Sequence, residues 1–225
     1  MMFDNMGFPA KEMEAVDADL TSEKVLENYV AAIGGESAAS SIKSAKVVME
    51  ADVMGQKLTI EQFFDNANMR YAQNTLVGGN VMQSSRITDS KGEVKVQGQS
   101  VAMTDEQIDA AKLETFFLPE LYYETMGYTL TLDGIKDVDG TPAYKIIVAT
   151  PLGASVNNYY SVESGLKIKN ENPASGDTFY SDYQEKNGVM IPMAMTIKSA
   201  MIPVPLEAKV TTLELNPELT AEDFN

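Results

Sequence analysis

The chain has 225 residues, enough for one large β-rich domain or two small ones with a sizeable core. Its 17 basic and 33 acidic side chains leave a net charge of −16. Such a surface repels phosphate backbones and anionic headgroups over about 8–10 Å in ordinary salt, so neither nucleic acid nor an anionic membrane face is an expected partner. There is no Cys and no His, which removes disulfides, thiolate nucleophiles, zinc–sulfur sites and the commonest general base.

Residues 1–20 have no hydrophobic period and read as an extended lead-in or linker. The stretch "MMFDNMGFPAKEMEAVDADL" carries neither a basic n-region nor a continuous apolar h-region, so it does not read as a signal peptide. No apolar run approaches the roughly 18 residues of a membrane span. The chain is then either cytoplasmic or a mature or excised piece of an exported protein. "TSEKVLENYVAAIGG" predicts the first helix. Thr21 or Ser22 caps it, Glu23 suits the positive end of its dipole, and Val25, Leu26, Tyr29, Val30 and Ile33 recur at helical spacing. Gly34-Gly35 supplies the stop, and a short helical turn is expected around Glu36–Ile42.

From Lys46 the period changes to two. Val47, Met49, Ala51 and Val53 share one face in "KVVMEADVM"; after Gly55-Gln56, Leu58, Ile60 and Phe64 alternate against Thr59 and Glu61. "NMRYAQ", "NVMQSSRITD" and "EVKVQG" continue the meander. Then "MTDEQIDAAKLETFFLPELYYETMG" interrupts it. Thr104 and Gln107 form a capping box, Ile108, Ala111, Phe116 and Phe117 are the apolar positions, and Pro119 breaks the helix before a second short one through "PELYYETM". Strands resume at "YTLTLDGI" and run through "PAYKIIVAT", "SVNNYYSV", "LKIKN", "DTFYSDYQE" and "VMIPMAMTI" to "PLEAKVTTLEL". Turn signals recur every 8–12 residues, the mark of an antiparallel meander. About ten or eleven strands are expected, and a twisted sheet of about that number has to curl. The predicted fold is mainly β (α+β): a single strongly curved antiparallel sheet, or half-open barrel, with an N-terminal helix and a mid-chain helical lid in its concave side. Residues 21–225 are read as a single domain.

Fourteen methionines and no tryptophan are an unusual apolar choice. Met adapts its shape, so it suits either an irregular solid core or a surface that accepts variable apolar partners. Alternation alone does not separate a filled core from a cavity for an acyl chain, and both readings stand at this point. The residues that would line such a cavity are Val47, Met49, Leu58, Ile60, Phe64, Met69, Met193 and Met195, with Phe116 and Phe117 on the lid. No constellation carries catalysis. Asp137 and Asp139 in "DVDGTPAYK" lack the further ligands of a calcium loop and read as a β-turn. "TLVGGN" lacks the spacing and the following helix of a phosphate loop. Ser84, Ser85 and Lys91 lack the S-x-x-K spacing of a dyad. Tyr122-Tyr123 and Tyr159-Tyr160 read as packing pairs. No cofactor, metal site or enzyme activity is expected.

Three stretches, "VLENYVAAIGGESAASSIKSAKVVMEADVMG", "YKIIVATPLGASVNNYYSVESGLKIK" and "YSDYQEKNGVMIPMAM", resemble the LolA-like outer-membrane lipoprotein-carrier superfamily over roughly residues 21–224. They are similar to a branch of it also found as the C-terminal domain of pitrilysin/insulinase-type zinc peptidases, and "FDNMGFPAKEMEAVDADLTSEKV" resembles the connector in such proteins. The resemblance implies a half-open barrel with a helical lid, an apolar hollow for a lipid or lipoprotein acyl chain, and a periplasmic home. The alternative it implies is a structural or partner-binding appendage of an exported zinc peptidase, with a filled core and the peptidase body as N-terminal partner. The peptidases' His-x-x-Glu-His motif is absent from a chain without His. True carriers hold an Arg on the early strands that helps keep the lid closed; in "FFDNANMRYAQ" the comparable place carries Asn66, with Arg70 nearby.

Overall fold

The computed structural model describes residues 17–88, 91–112, 115–199 and 204–224; residues 1–16 of the expected lead-in lie outside that set. Thirteen strands form one antiparallel sheet. Six precede the mid-chain segment: β1 (Ser44–Val53), β2 (Gln56–Asp65), β3 (Arg70–Val77), β4 (Asn80–Thr88), β5 (Lys91–Val96) and β6 (Gln99–Ala102). Seven follow it: β7 (Thr129–Val138), β8 (Thr141–Ala149), β9 (Ser155–Ser161), β10 (Lys167–Asn172), β11 (Gly176–Lys186), β12 (Val189–Lys198) and β13 (Leu206–Leu215). The count exceeds the ten or eleven expected. Alternation misses β6 in particular, because all four of its residues are exposed and no face of it is marked by burial.

The strand order is β6-β5-β4-β3-β2-β1-β13-β12-β11-β10-β9-β8-β7. The chain therefore starts at the middle of the sheet, meanders to one edge, and begins again at the opposite edge to return and pair β13 with β1. The two edges do not pair with each other, so the sheet is a curved half-barrel and not a closed one. The segment between β6 and β7, described over residues 103–112 and 115–128, links one edge to the other. It does so across the concave face, where Phe116, Leu118 and Tyr123 are buried.

Helix α1 (Ser22–Ala32) forms as its sequence predicts: the Thr21 hydroxyl accepts from the Lys24 N–H, and Val25, Leu26 and Tyr29 are buried on one face. That face packs against Ile146 and Val148 of β8, Val156 and Tyr160 of β9, and Val189 and Ile191 of β12. Its end is fixed by a backbone contact, in which the Met190 N–H donates to the Ile33 carbonyl at 2.8 Å. Gly34 follows at φ +116°, and a Cβ there would stand 2.0 Å from the Gly188 carbonyl oxygen. Helix α2 (Glu36–Ser40) leads into β1. A second cluster, Val47, Met49, Phe64, Tyr71, Ile87 and Ala208, fills the concave face of β1–β4 and β13.

In the mid-chain segment, helix α3 (Asp105–Ala111) has both capping-box bonds: Gln107 N–H to the Thr104 hydroxyl at 3.3 Å, and Thr104 N–H to the Gln107 side chain at 2.9 Å. The second short helix expected through "PELYYETM" is instead a three-residue 3₁₀ turn, Pro119–Leu121, followed by turns. Tertiary partners decide this backbone, since Glu120 and Tyr123 both reach polar groups on the sheet. Of the two aspartates of "DVDG", Asp137 lies near the end of β7 and Asp139 in the β7–β8 turn, which the Asp137 carboxylate closes by accepting from the Gly140 N–H at 2.8 Å.

The convex face holds its own polar cluster. Glu171 accepts from Asn157 at 2.9 Å and from the Tyr159 hydroxyl at 2.8 Å, and pairs with Lys169 at 2.7 Å; Lys169 also meets Asp177 at 3.0 Å. Burial pushes the Glu171 carboxyl up, but the Lys169 ammonium and the two neutral donors outweigh it and hold the group at about 2.

Two outcomes are expected. Gly34→Ala lowers unfolding free energy by roughly 1–3 kcal/mol or more in urea titrations, from backbone strain plus the Gly188 contact. Gly35→Ala, where a Cβ meets nothing within 4 Å, costs less; equal losses would exclude the close approach as the cause. Because the Glu171 carboxyl is depressed in the folded state, its contribution is complete above the unfolded value of 4.5 and fades as pH falls toward 2. Glu171→Gln therefore flattens the acid limb of the stability curve in that window; an unchanged acid limb would show that the cluster is not linked to folding.

Candidate functional site

Between the cluster under α1 and the cluster on β1–β4 lies a cavity of about 360 Å³, within the few-hundred-Å³ range of small-molecule sites. Its wall on β1, β2 and β13 is mostly apolar, with Val47, Met49, Ile60, Phe64, Val210 and Leu213; two amides also line it, Gln62 on β2 and Gln73 on β3, and the Gln62 amide donates to the Gln73 side chain at 3.0 Å. The register explains why these meet. Val47 faces Gln62 and Leu213, Met49 faces Ile60 and Val210, and Ala45 faces Phe64, so one pleat of three strands presents a continuous surface. On β12, Ile191, Met195 and Ile197 continue it. The lid supplies the roof through Phe116, Phe117, Leu118 and Pro119; Phe117 packs edge-on against Phe64 with centroids 5.6 Å apart.

Seven of the ten residues expected at such a cavity line it: Val47, Met49, Ile60, Phe64, Phe116, Phe117 and Met195. Three are placed elsewhere. Leu58 lies on the same face of β2 but two residues nearer the β1–β2 turn, past the cavity's end. Met69 is in the β2–β3 turn with φ +51° and is 39% exposed. Met193, between the lining residues Ile191 and Met195 on β12, packs against the cluster beneath α1. Period two assigns a side chain to a face and says nothing about where along the strand that face is roofed.

The other end of the cavity is polar, and none of its residues was among those expected. Lys167 on β10 pairs with Glu120 on the lid at 2.7 Å; the Glu120 side chain is 1% exposed and that of Lys167 12%. Glu120 Oε1 also accepts from the Tyr160 hydroxyl at 3.2 Å. Lys167 points inward because β10 carries a bulge: Lys167 pairs with Tyr160 but Lys169 with Tyr159, so residues two apart face opposite sides. A regular strand would put both lysines on the convex face. Burial pulls the Lys167 ammonium down, but the Glu120 carboxylate outweighs it and holds the group well above its ordinary value. Burial, reinforced by Glu120, likewise raises the Tyr29, Tyr123 and Tyr160 hydroxyls, which stay protonated at neutral pH. Asn158, fully buried, donates to the Tyr123 hydroxyl at 3.0 Å and accepts from Asn170 at 2.8 Å. One signal could have found this end: Glu120 is the single charge within "FFLPELYY", and an acid inside an aromatic run is buried only with a partner.

Polar ties hold the lid at several points. The Phe117 N–H donates to the Asn66 side chain at 3.3 Å, and the same amide donates to the Ile42 carbonyl at 3.2 Å. Asn66, at the place where carriers are expected to hold their Arg, thus touches the lid backbone. Arg70 does not, since it pairs with Asp65 (Nε to Oδ2, 3.0 Å) and lies over the Phe224 ring at 4.3 Å. Thr150, after β8, donates to Asp109 of α3. Among the described residues no group of three acidic side chains could hold a metal ion, and no helix is long and apolar enough to cross a membrane.

No family model matches the sequence, and no curated protein matches it. Solved structures do match the fold. A LolA superfamily protein from Nitrosomonas europaea superposes with a TM-score of 0.56 at 11% identity, over 92% of this chain and 98% of that one. A DUF1329 family protein from Desulfovibrio piger gives 0.57 at 11% identity, over 91% and 97%. An outer membrane lipoprotein-sorting protein domain from Vibrio parahaemolyticus gives 0.54 at 9% identity, over 93% and 97%. No peptidase is among these three. At such identities the likeness is one of architecture: the chain has the fold of the LolA superfamily.

Proposed function

We propose that this protein is a non-enzymatic binding domain that shelters one lipid or acyl chain in the concave cavity. The observation that carries the proposal is the hollow itself. Two packed clusters flank a space of about 360 Å³ whose one wall is aliphatic, methionine and phenylalanine and whose roof is the lid. Close-packed interiors leave few voids larger than a water molecule, so a space this size on the concave side supports reading it as a binding site. An apolar chain entering it gains burial at about 25 cal/mol per Å². Likeness to a lipoprotein-sorting domain supports a periplasmic place of work and a carrier's task, loading and releasing the chain as the lid moves.

The lining methionines fit this reading, because an unbranched thioether adjusts to chains of different length and branching. The residues proposed to contact the chain are Val47, Met49, Ile60, Phe64 and Met195, with Phe116 and Phe117 above them.

Organic-solvent extraction of the protein isolated from its native cells, followed by mass spectrometry, is expected to release a single-chain or acylated lipid. The purified protein is expected to take up the neutral apolar dye N-phenyl-1-naphthylamine with a rise in fluorescence. Ile60→Phe, which adds volume on the cavity wall, weakens that uptake roughly tenfold while changing stability by no more than about 1.5 kcal/mol. A clean extract together with no dye uptake would overturn the proposal.

A further inference from the structure

We infer that the polar end of the cavity recognises an uncharged, hydrogen-bond-donating head, so that the preferred ligand is a chain ending in a hydroxyl or amide and not a free fatty acid or an anionic phospholipid. The inference rests on the cavity being a lipid site and adds the class of lipid.

Three observations carry it. The first is an unfilled acceptor. Both Glu120 and Lys167 line the cavity. Oxygen Oε1 of Glu120 is satisfied by Lys167 and Tyr160, whereas Oε2 is buried and has no hydrogen-bond partner among the described residues. A buried carboxylate oxygen without a donor is costly, and Glu120 borders the cavity, so a donor carried in by a ligand would fill it. An ionised carboxylate brings none, and a phosphate diester brings one only through the hydroxyls of its alcohol and together with a negative charge.

The second is charge balance. Lys167 is the only cation among the described residues lining the cavity, and Glu120 already neutralises it at 2.7 Å. An anionic head would place an uncompensated charge beside Glu120 in a medium of low dielectric. A cationic head would do the same beside Lys167. The third is the neutrality of the surroundings. Asn158, Asn170 and Tyr123 form a hydrogen-bonded relay along the same end, and the tyrosine remains a neutral hydroxyl. These groups match a head that both donates and accepts. The aliphatic wall on β1, β2 and β13 then takes the tail, which orients the molecule head toward β10 and tail toward β2.

Displacement of bound N-phenyl-1-naphthylamine from the full chain tests this, with the tail held constant. Hexadecanol, monopalmitoylglycerol and palmitamide are compared with palmitate and palmitoyl-lysophosphatidylglycerol at neutral pH, all below their aggregation thresholds. The neutral three are expected to displace the dye at concentrations about tenfold or more lower than the two anions. Glu120→Gln keeps a side chain that can accept from Lys167 and Tyr160 but leaves the ammonium unbalanced, and it is expected to reverse the order in favour of palmitate. Equal displacement by palmitate and hexadecanol on the unmodified protein overturns the inference without touching the binding proposal, as does a folded Glu120→Gln variant that keeps the original order. Failure of every chain to displace the dye overturns both. The order on the unmodified protein decides the matter even if the variant does not fold.

Discussion

The structure depends on a constraint of connectivity. A meander that leaves β1 in one direction and returns to it from the other has to jump between its own outermost strands, β6 and β7. A curved sheet of thirteen strands puts those edges on opposite sides of its concave face. The connecting residues can cross only by covering that face, so the lid follows from the strand order. Everything at the site comes from what the crossing segment meets. Where it lies on α1 and β8–β9, Leu118 and Tyr123 pack into the core cluster on one side and border the cavity on the other. Where it passes over β1 and β2, Phe116 and Phe117 descend, and a hollow is left below them.

The crossing segment is held by specific polar contacts more than by regular secondary structure. Its 3₁₀ turn is three residues long and α3 is seven, too short to hold themselves in place. Asn66 on the Phe117 N–H, Asp109 on Thr150, Glu120 on Lys167 and Tyr123 on Asn158 fix its path instead. Two of these ties are buried, and one is an ion pair. A buried ion pair is weak evidence for stability, because taking both charges out of water costs about as much as their attraction returns. Its stronger consequence here is registry. The carboxylate has one place to go, and the bulge in β10 puts the ammonium there.

The same pair gives the cavity two unlike ends. Mostly apolar side chains on β1, β2, β12 and β13, with Gln62 among them, form one, and a neutralised charge pair with buried amides and hydroxyls forms the other. A purely apolar hollow would accept a chain in either direction. Under the proposed reading, the polar end orients the chain, which is how a site combines a large nonspecific driving force with a few orienting groups.

Much of the architecture was legible in the sequence. Period-two alternation from Lys46, the Thr21 cap, the Thr104–Gln107 box and the recurring turn signals each report a local preference, and local preferences survive into the fold when nothing opposes them. The curled antiparallel sheet follows from too many strands for a flat one. Face assignment was legible too, which is why Val47, Met49, Ile60, Phe64 and Met195 sit on the concave side. Depth was not: Leu58 shares the face of Ile60 yet misses the hollow, and Met193 packs against the α1 cluster between two lining residues, because the boundary between core and cavity is drawn by segments distant in sequence. The inward Lys167 was hidden for a related reason. Lys167 and Lys169 have the same parity in an ideal strand, and only the pairing of β10 with β9 inserts the extra residue that turns one of them over. The sequence by itself determined which faces are apolar and that the sheet must curve, since those depend on neighbours two to four residues away. Tertiary structure alone decided where the concave side is filled, where it is empty and which charges meet there, since those depend on contacts between segments tens of residues apart.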